Sequence, residues 1–101
     1  MRAAVKVVNF ARYVNDAARI ARLRPSHRAF MASLSSQGRV LAAGPFADGS
    51  GALFIYEVES LAEVEGIVAE DPYTIGGAFR DYELKPWQIV GSNPELLIQS
   101  A

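Results

Sequence analysis

The chain has 101 residues, half of them hydrophobic, with ten Lys and Arg against eleven Asp and Glu, a formal net charge of −1 and no cysteine. That length bounds it to one domain, the charge balance gives no general attraction to nucleic acid or an anionic membrane, and the lack of thiols excludes disulfides and thiolate metal sites. The hydrophobic share is high for a chain whose small size limits the surface it can bury alone, so part of it is expected to pack against a second subunit.

The charges are unevenly spread. Arg12, Arg19, Arg22, Arg24 and Arg28 cluster early, and Glu57, Glu59, Glu63, Glu65, Glu70 and Asp71 cluster later. Two readings fit: oppositely charged solvated helices lying side by side, or a basic rim that draws an anionic ligand. The start "MRAAVKVVNF" lacks the apolar core and cleavage site of a signal peptide. No apolar run approaches the roughly 20 residues of a membrane span. A cytoplasmic protein without membrane contact is the expectation.

Taken in order, "AAVKVVNF" is rich in Val and reads as a strand over residues 3–10. Asn15 is placed to cap a helix at "NDAARIAR". Ile20, Leu23, Phe30 and Leu34 then fall on one helical face, and position 27 lies on it too. Pro25 either starts a second helix or kinks one long helix by removing a donor to Ala21. Gly38 is the expected C-terminal stop. "RVLAAGPF" reads as a second strand, "ADGSG" as a hairpin turn and "ALFIYEV" as a third strand. Ser60 and Glu63 make a capping box ahead of a second helix with the stripe Leu61, Val64, Val68 and, one step on, Asp71. Pro72 forces Asp71 out of helical geometry. "TIGGAF" is a loop, and "FRDYELKPWQIV" is the last strand, with Pro86 marking an edge or bulge. The tail holds Leu96, Leu97 and Ile98.

Strand, helix, strand, strand, helix, strand with right-handed crossovers is a ferredoxin-like plait of the α+β class. It is expected as one domain over residues 1–90, followed by a tail over 91–101. The helices cover one sheet face only. Yet Leu53 and Ile55 oppose Phe54, Tyr56 and Val58 on the third strand, and Val5 and Val7 oppose Val8 and Phe10 on the first. A solvated face should be polar, so a homodimer that joins the two bare faces is expected. Tyr56, Tyr82 and Trp87 are assigned to that dimer core.

Each helical stripe carries one polar residue where an apolar one belongs: His27, the single histidine, and Asp71. The two helices are expected side by side and running in the same direction. From the cap at Asn15 to His27 is roughly 18 Å of helix, and from Ser60 to Asp71 roughly 16 Å, so the two side chains should reach similar heights. A buried carboxylate and a buried imidazole each need a partner. If they meet, Asp71 orients the ring and leaves the other nitrogen for general acid–base chemistry. The same contact also serves as a purely structural hydrogen bond between helices.

Three segments carry a family resemblance: "RPSHRAFMASL", with Arg-x-x-His ahead of an apolar pair; "GRVLAAGPF", a strand ending in Gly-Pro; and "AEDPYTIGGAF", with Asp-Pro-aromatic and then Gly. With these, the chain resembles the YCII-related family. These are small ferredoxin-like proteins akin to the dimeric α/β-barrel group that includes muconolactone isomerase. The resemblance implies a dimer and a candidate active site at His27 and Asp71, with the Gly-Pro match at Gly44 and Pro45.

Other groups are weighed beside these. Arg24, three residues before His27, is placed either to anchor a substrate carboxylate by a bidentate pair or to bridge to the acidic helix. Gly44 and Pro45 either bring backbone close to a ligand or simply end a strand. Ser33, Ser35, Ser36 and Ser50 have no base other than His27, which argues against a serine nucleophile. One His and scattered carboxylates lack metal-ligand spacing. The sequence therefore points to a cofactor-independent enzyme moving protons on a small anionic organic molecule, by isomerisation or elimination. The rival is a non-catalytic small-ligand-binding or accessory domain.

Overall fold

The computed structural model describes residues 4–97. Four strands form one sheet: β1 (Val5–Tyr13), β2 (Val40–Pro45), β3 (Gly51–Val58) and β4 (Phe79–Trp87). Between them run α1 (Ala17–Ser36), α2 (Leu61–Glu70) and the one-turn α3 (Pro72–Ile75), and a 3-10 turn follows at Pro94–Leu97. The sheet order is β2-β3-β1-β4, with every neighbouring pair antiparallel. This is the ferredoxin-like plait the element order implies. Ile98 lies outside the described residues.

Alternation on the strands decides what the helices cover. On β3, Ala52, Phe54, Tyr56 and Val58 are buried; on β1, Val7, Asn9 and Ala11 are. Against these pack Leu34 from α1 and Val64, Ile67 and Val68 from α2, while Ile20 packs with Tyr73 and Ala78 in a second cluster. Leu61, placed on the stripe by spacing, is 40% exposed, and Ile67 takes its place in the core. The opposite face carries Val8, Phe10, Leu53 and Ile55, with Phe10 43% exposed beside the Phe46 ring at 5.0 Å. Lys6–Glu57 and Arg12–Asp81 ion pairs flank that apolar patch.

The aromatic assignment needs correction. Tyr56 is 1% exposed beneath the helices, not on the bare face. Tyr82 pairs with buried Ala11 and so shares the helix-covered side. Only Trp87, opposite Lys6, projects from the bare face. The reason is parity: a residue two positions from Phe54 must share its face.

The helix boundaries show which local signals win. The cap of α1 is Asp16, not Asn15: its carboxylate accepts from the Arg19 N–H at 3.0 Å. Pro25 sits inside one unbroken α1. It is exposed, and loss of its single donor does not split the helix. Gly38, just past the end, takes the left-handed φ of +72° that a residue with a Cβ adopts rarely. At α2, Ser60 accepts from the Glu63 N–H, while Glu63 reaches back to the Glu59 N–H rather than to that of Ser60.

Helix direction also differs from expectation. Each crossover helix runs against the two parallel strands it joins. Since β1 and β3 are antiparallel, α1 and α2 run in opposite directions. Equal distance from the two caps therefore does not explain how His27 and Asp71 come together. Position does: His27 is mid-way along a 20-residue helix, and Asp71 follows the end of a 10-residue one.

Pro86 lies on an edge strand, as a residue without a donor requires. The bulge falls elsewhere. Between Arg12 and Tyr13 the register on β4 jumps from Asp81 to Phe79. Regular pairing would set Arg80 opposite Tyr13. The skipped residue turns Phe79 inward instead, and its ring stacks parallel to that of Tyr13 at 6.2 Å.

Candidate active site

His27 is 8% exposed and falls on the buried edge of α1, seven residues from Ile20 and from Leu34. Its Nδ1 lies 2.7 Å from Oδ1 of Asp71. Asp71 is 1% exposed and joins α2 to α3 in extended geometry, which Pro72 imposes. The same Oδ1 accepts from the Tyr73 N–H at 2.9 Å, so the carboxylate caps α3 while it holds the imidazole. An ionised carboxylate oxygen only accepts. With Asp71 ionised, Nδ1 is the donor of this bond, and a neutral ring would leave Nε2 as the acceptor. Among the described residues Nε2 has no hydrogen-bond partner.

Aromatic packing fixes the ring plane. His27 stacks on Tyr73, with centroids 3.8 Å apart and planes 8° apart, and meets Phe54 edge-on at 5.7 Å. Asp71 and Tyr73 are two residues apart, so one short segment supplies both the hydrogen bond and the stacking surface.

A cavity of about 440 Å³ opens beside the ring, bounded by α1, β2 and the start of β3. His27, Arg24, Gly44 and Pro45 all line it, so the structure gathers four of the five predicted site residues there. The fifth, Asp71, stands behind His27 as its hydrogen-bond partner. Tyr13, Ile20, Arg28, Phe54 and Tyr73 complete most of the wall. A second space of about 370 Å³ lies between α1 and α2 and contains none of the predicted residues; Arg39 and Glu63 pair beside it at 3.0 Å.

Arg24 makes no bridge to the acidic helix: among the described residues neither Arg24 nor Arg28 has an ion-pair partner. Arg12, Arg19, Arg39 and Arg80 each have one. Arg24 and Arg28 both line the cavity. Burial pushes the Tyr13 phenol up from its ordinary value; the neighbouring Tyr73 hydroxyl acts the same way, and Arg24 opposes. Burial beneath the dyad, together with the Asp71 charge, also pushes Tyr56 up. Both remain hydroxyl donors at neutral pH.

Sequence reading did not name Tyr13; it met Arg28 only within the basic cluster and Tyr73 only as the aromatic of the Asp-Pro-aromatic motif. Tyr73 carried a usable signal, since an Asp two residues before a backbone donor, with Pro between, is a turn that bonds its own chain. Tyr13 needed the first strand to extend three residues further, after which alternation turns it inward.

A model of the YCII-related domain matches residues 5–88. The chain belongs to the YCII-related family. Proteins called YciI from Escherichia coli O6:H1 and from Shigella flexneri are each 32% identical over 78 residues, spanning 67% of this chain and 80% of the relative. Among solved structures, 5-chloro-2-hydroxyhydroquinone dehydrochlorinase from Burkholderia phenoliruptrix, in complex with 2,5-dihydroxybenzoquinone, superposes with a TM-score of 0.73. That match covers 82% of this chain and 93% of the other at 22% identity, so it speaks for the fold. This YCII-related chain has, among its described residues, no helix long and apolar enough to cross a membrane.

Proposed function

We propose that the protein is a small cytoplasmic enzyme catalysing cofactor-independent proton transfer, of isomerase or lyase type, on a small anionic organic molecule. One observation carries the reading: Asp71 meets Nδ1 of His27 at 2.7 Å, Nε2 has no hydrogen-bond partner among the described residues, and His27 lines a cavity of about 440 Å³. In this reading Nε2 removes a proton from carbon and returns it elsewhere, or a leaving group departs in its place. Asp71 fixes the tautomer and offsets the charge that forms on the ring. Arg24 pairs with the substrate's anionic group. Gly44 and Pro45 give a wall where backbone can approach the ligand. That a structural neighbour is a dehydrochlorinase bound to a dihydroxybenzoquinone suits this class of chemistry. The bare sheet face, with Val8, Phe10, Leu53 and Ile55, is the surface through which we expect the homodimer to form.

A second reading has its own support. His27 packs as a core aromatic and Asp71 caps α3, so the pair would be retained in a non-catalytic ligand-binding or accessory domain as well. Deuterium uptake separates the two. Small carboxylated ketones and hydroxylated quinones are incubated with the protein in deuterated water and followed by proton NMR. The enzyme reading expects exchange at carbon beside the carbonyl with wild type, lost in His27→Gln. Exchange unaltered by that substitution contradicts it.

A further inference from the structure

The dyad supplies a base, but a base alone does not stabilise the product of carbon deprotonation. When a proton leaves the carbon beside a carbonyl, the electron pair moves onto oxygen and an enolate forms. That oxygen needs a fixed donor, and enzymes commonly place one where the charge develops.

Tyr13 brings a hydroxyl to the wall of the cavity, beside the Tyr73 hydroxyl. Tyr13 lines the same space as His27. Its ring meets Tyr73 edge-on at 5.8 Å, and Tyr73 in turn stacks on His27. Its position is strongly held. Its N–H bonds the Ser50 carbonyl at 3.0 Å, and the β4 bulge brings Phe79 parallel to its ring. Arg24, one helical turn before His27, lines the same cavity without an ion-pair partner among the described residues. The remaining wall is largely apolar and aromatic, including Ile20, Phe54 and Tyr73.

We propose that Tyr13 and Arg24 form an oxyanion subsite that binds the enolate or phenolate oxygen of a small planar substrate beside Nε2 of His27. This rests on the proton-transfer reading and names the substrate class it requires. Nε2 takes the proton from carbon. The C–H electron pair forms a C=C bond, and the carbonyl π pair moves to oxygen, which accepts the Tyr13 O–H hydrogen bond and faces the Arg24 charge. Collapse of the enolate then either takes the proton back from His27 at the far carbon of a conjugated dienolate, which shifts the C=C bond, or expels a leaving group from the next carbon. The raised phenol of Tyr13 suits this role, because it stays a donor rather than becoming a second anion.

Binding of 4-nitrophenol tests the subsite without any knowledge of the natural substrate. Its visible absorbance reports whether it is bound as phenolate or phenol, and 4-nitrotoluene is the uncharged control of matching shape. Wild type is expected to select the phenolate. Tyr13→Phe, which keeps the ring and its stacking, should bind phenolate roughly tenfold more weakly, the effect of one hydrogen bond to a charged acceptor. Its affinity for 4-nitrotoluene and its melting temperature should stay unchanged. Arg24→Gln should weaken phenolate binding in the same selective way. Phenolate binding unaltered in Tyr13→Phe overturns the proposal. So does a wild type that shows no preference for phenolate over the control, or that binds neither. Failure of the dyad is read separately: deuterium exchange insensitive to His27→Gln contradicts the base, whatever the phenolate result.

Discussion

The rings of His27 and Tyr73 lie parallel, 3.8 Å apart, while the Tyr73 N–H and Nδ1 of His27 share one oxygen of Asp71. The Asp71–Tyr73 turn thus sets the plane and the rotation of the imidazole together. A histidine held this way has one free variable left, the protonation of Nε2.

This double duty of Asp71 separates two substitutions. Asn at position 71 keeps an oxygen that can cap α3, since Asn and Asp are comparable caps. It removes the charge that complements the imidazolium. Ala removes the cap and leaves Nδ1 of a buried ring unpaired. Urea unfolding should find Asp71→Ala destabilised by about 2–4 kcal/mol, the sum of a lost cap and a stranded buried donor. Asp71→Asn should lose about 1 kcal/mol or less of the cap's contribution while abolishing deuterium exchange. Equal destabilisation of the two proteins would contradict the shared-oxygen account.

Tyr56 gives a pH dependence with a definite sign. Its phenol is pushed up in the fold, from an ordinary value of 10.0, chiefly by burial and then by the Asp71 charge. Below the unfolded value both states hold the proton, and the contribution of Tyr56 is fully present. Above about pH 10 the unfolded chain releases a proton that the native chain keeps, so stability falls by about 1.4 kcal/mol per pH unit for that tyrosine. Chemical denaturation across pH 8–11 should show a steep alkaline decline in wild type and a shallower one in Tyr56→Phe. Parallel curves would place Tyr56 outside the core.

Much of this was legible from residue spacing. Val-rich alternation, the Ser60–Glu63 pair and the Asp71–Pro72 stop each act within a few residues, so local rules placed the elements and their order. His27 and Asp71 stood out because each is polar on an otherwise apolar stripe. What was not legible depends on contacts distant in sequence. The Arg12–Tyr13 bulge, which turns Phe79 rather than Arg80 inward, is a property of β1 and β4 together. The cavity wall joins Tyr13, Arg24 and Pro45 from three elements, and no window of sequence contains them. The expected parallel course of the two helices was an error of topology: the meeting of His27 and Asp71 survives it because Pro72 ends α2 at that level.

The bare sheet face predicts assembly. Val8, Leu53 and Ile55 form an apolar strip beside Phe10, which is 43% exposed. Apolar area of this kind is stabilised by removal from water, and a second copy offers the matching face through a two-fold axis. Sedimentation equilibrium at micromolar concentration should return twice the chain mass of 10.9 kDa. A mass that stays at a single chain across the concentration range would contradict the expectation.

In the proposed mechanism Asp71 leaves an unprotonated Nε2 of His27 facing the cavity. Nitrogen-15 NMR of the single imidazole, recorded where the ring is neutral, reads this directly. The account predicts a protonated Nδ1 coupled to its own hydrogen and a bare Nε2 with the downfield shift of an acceptor nitrogen. The opposite tautomer, with the proton on Nε2, would put a donor where the mechanism needs a base and would contradict it.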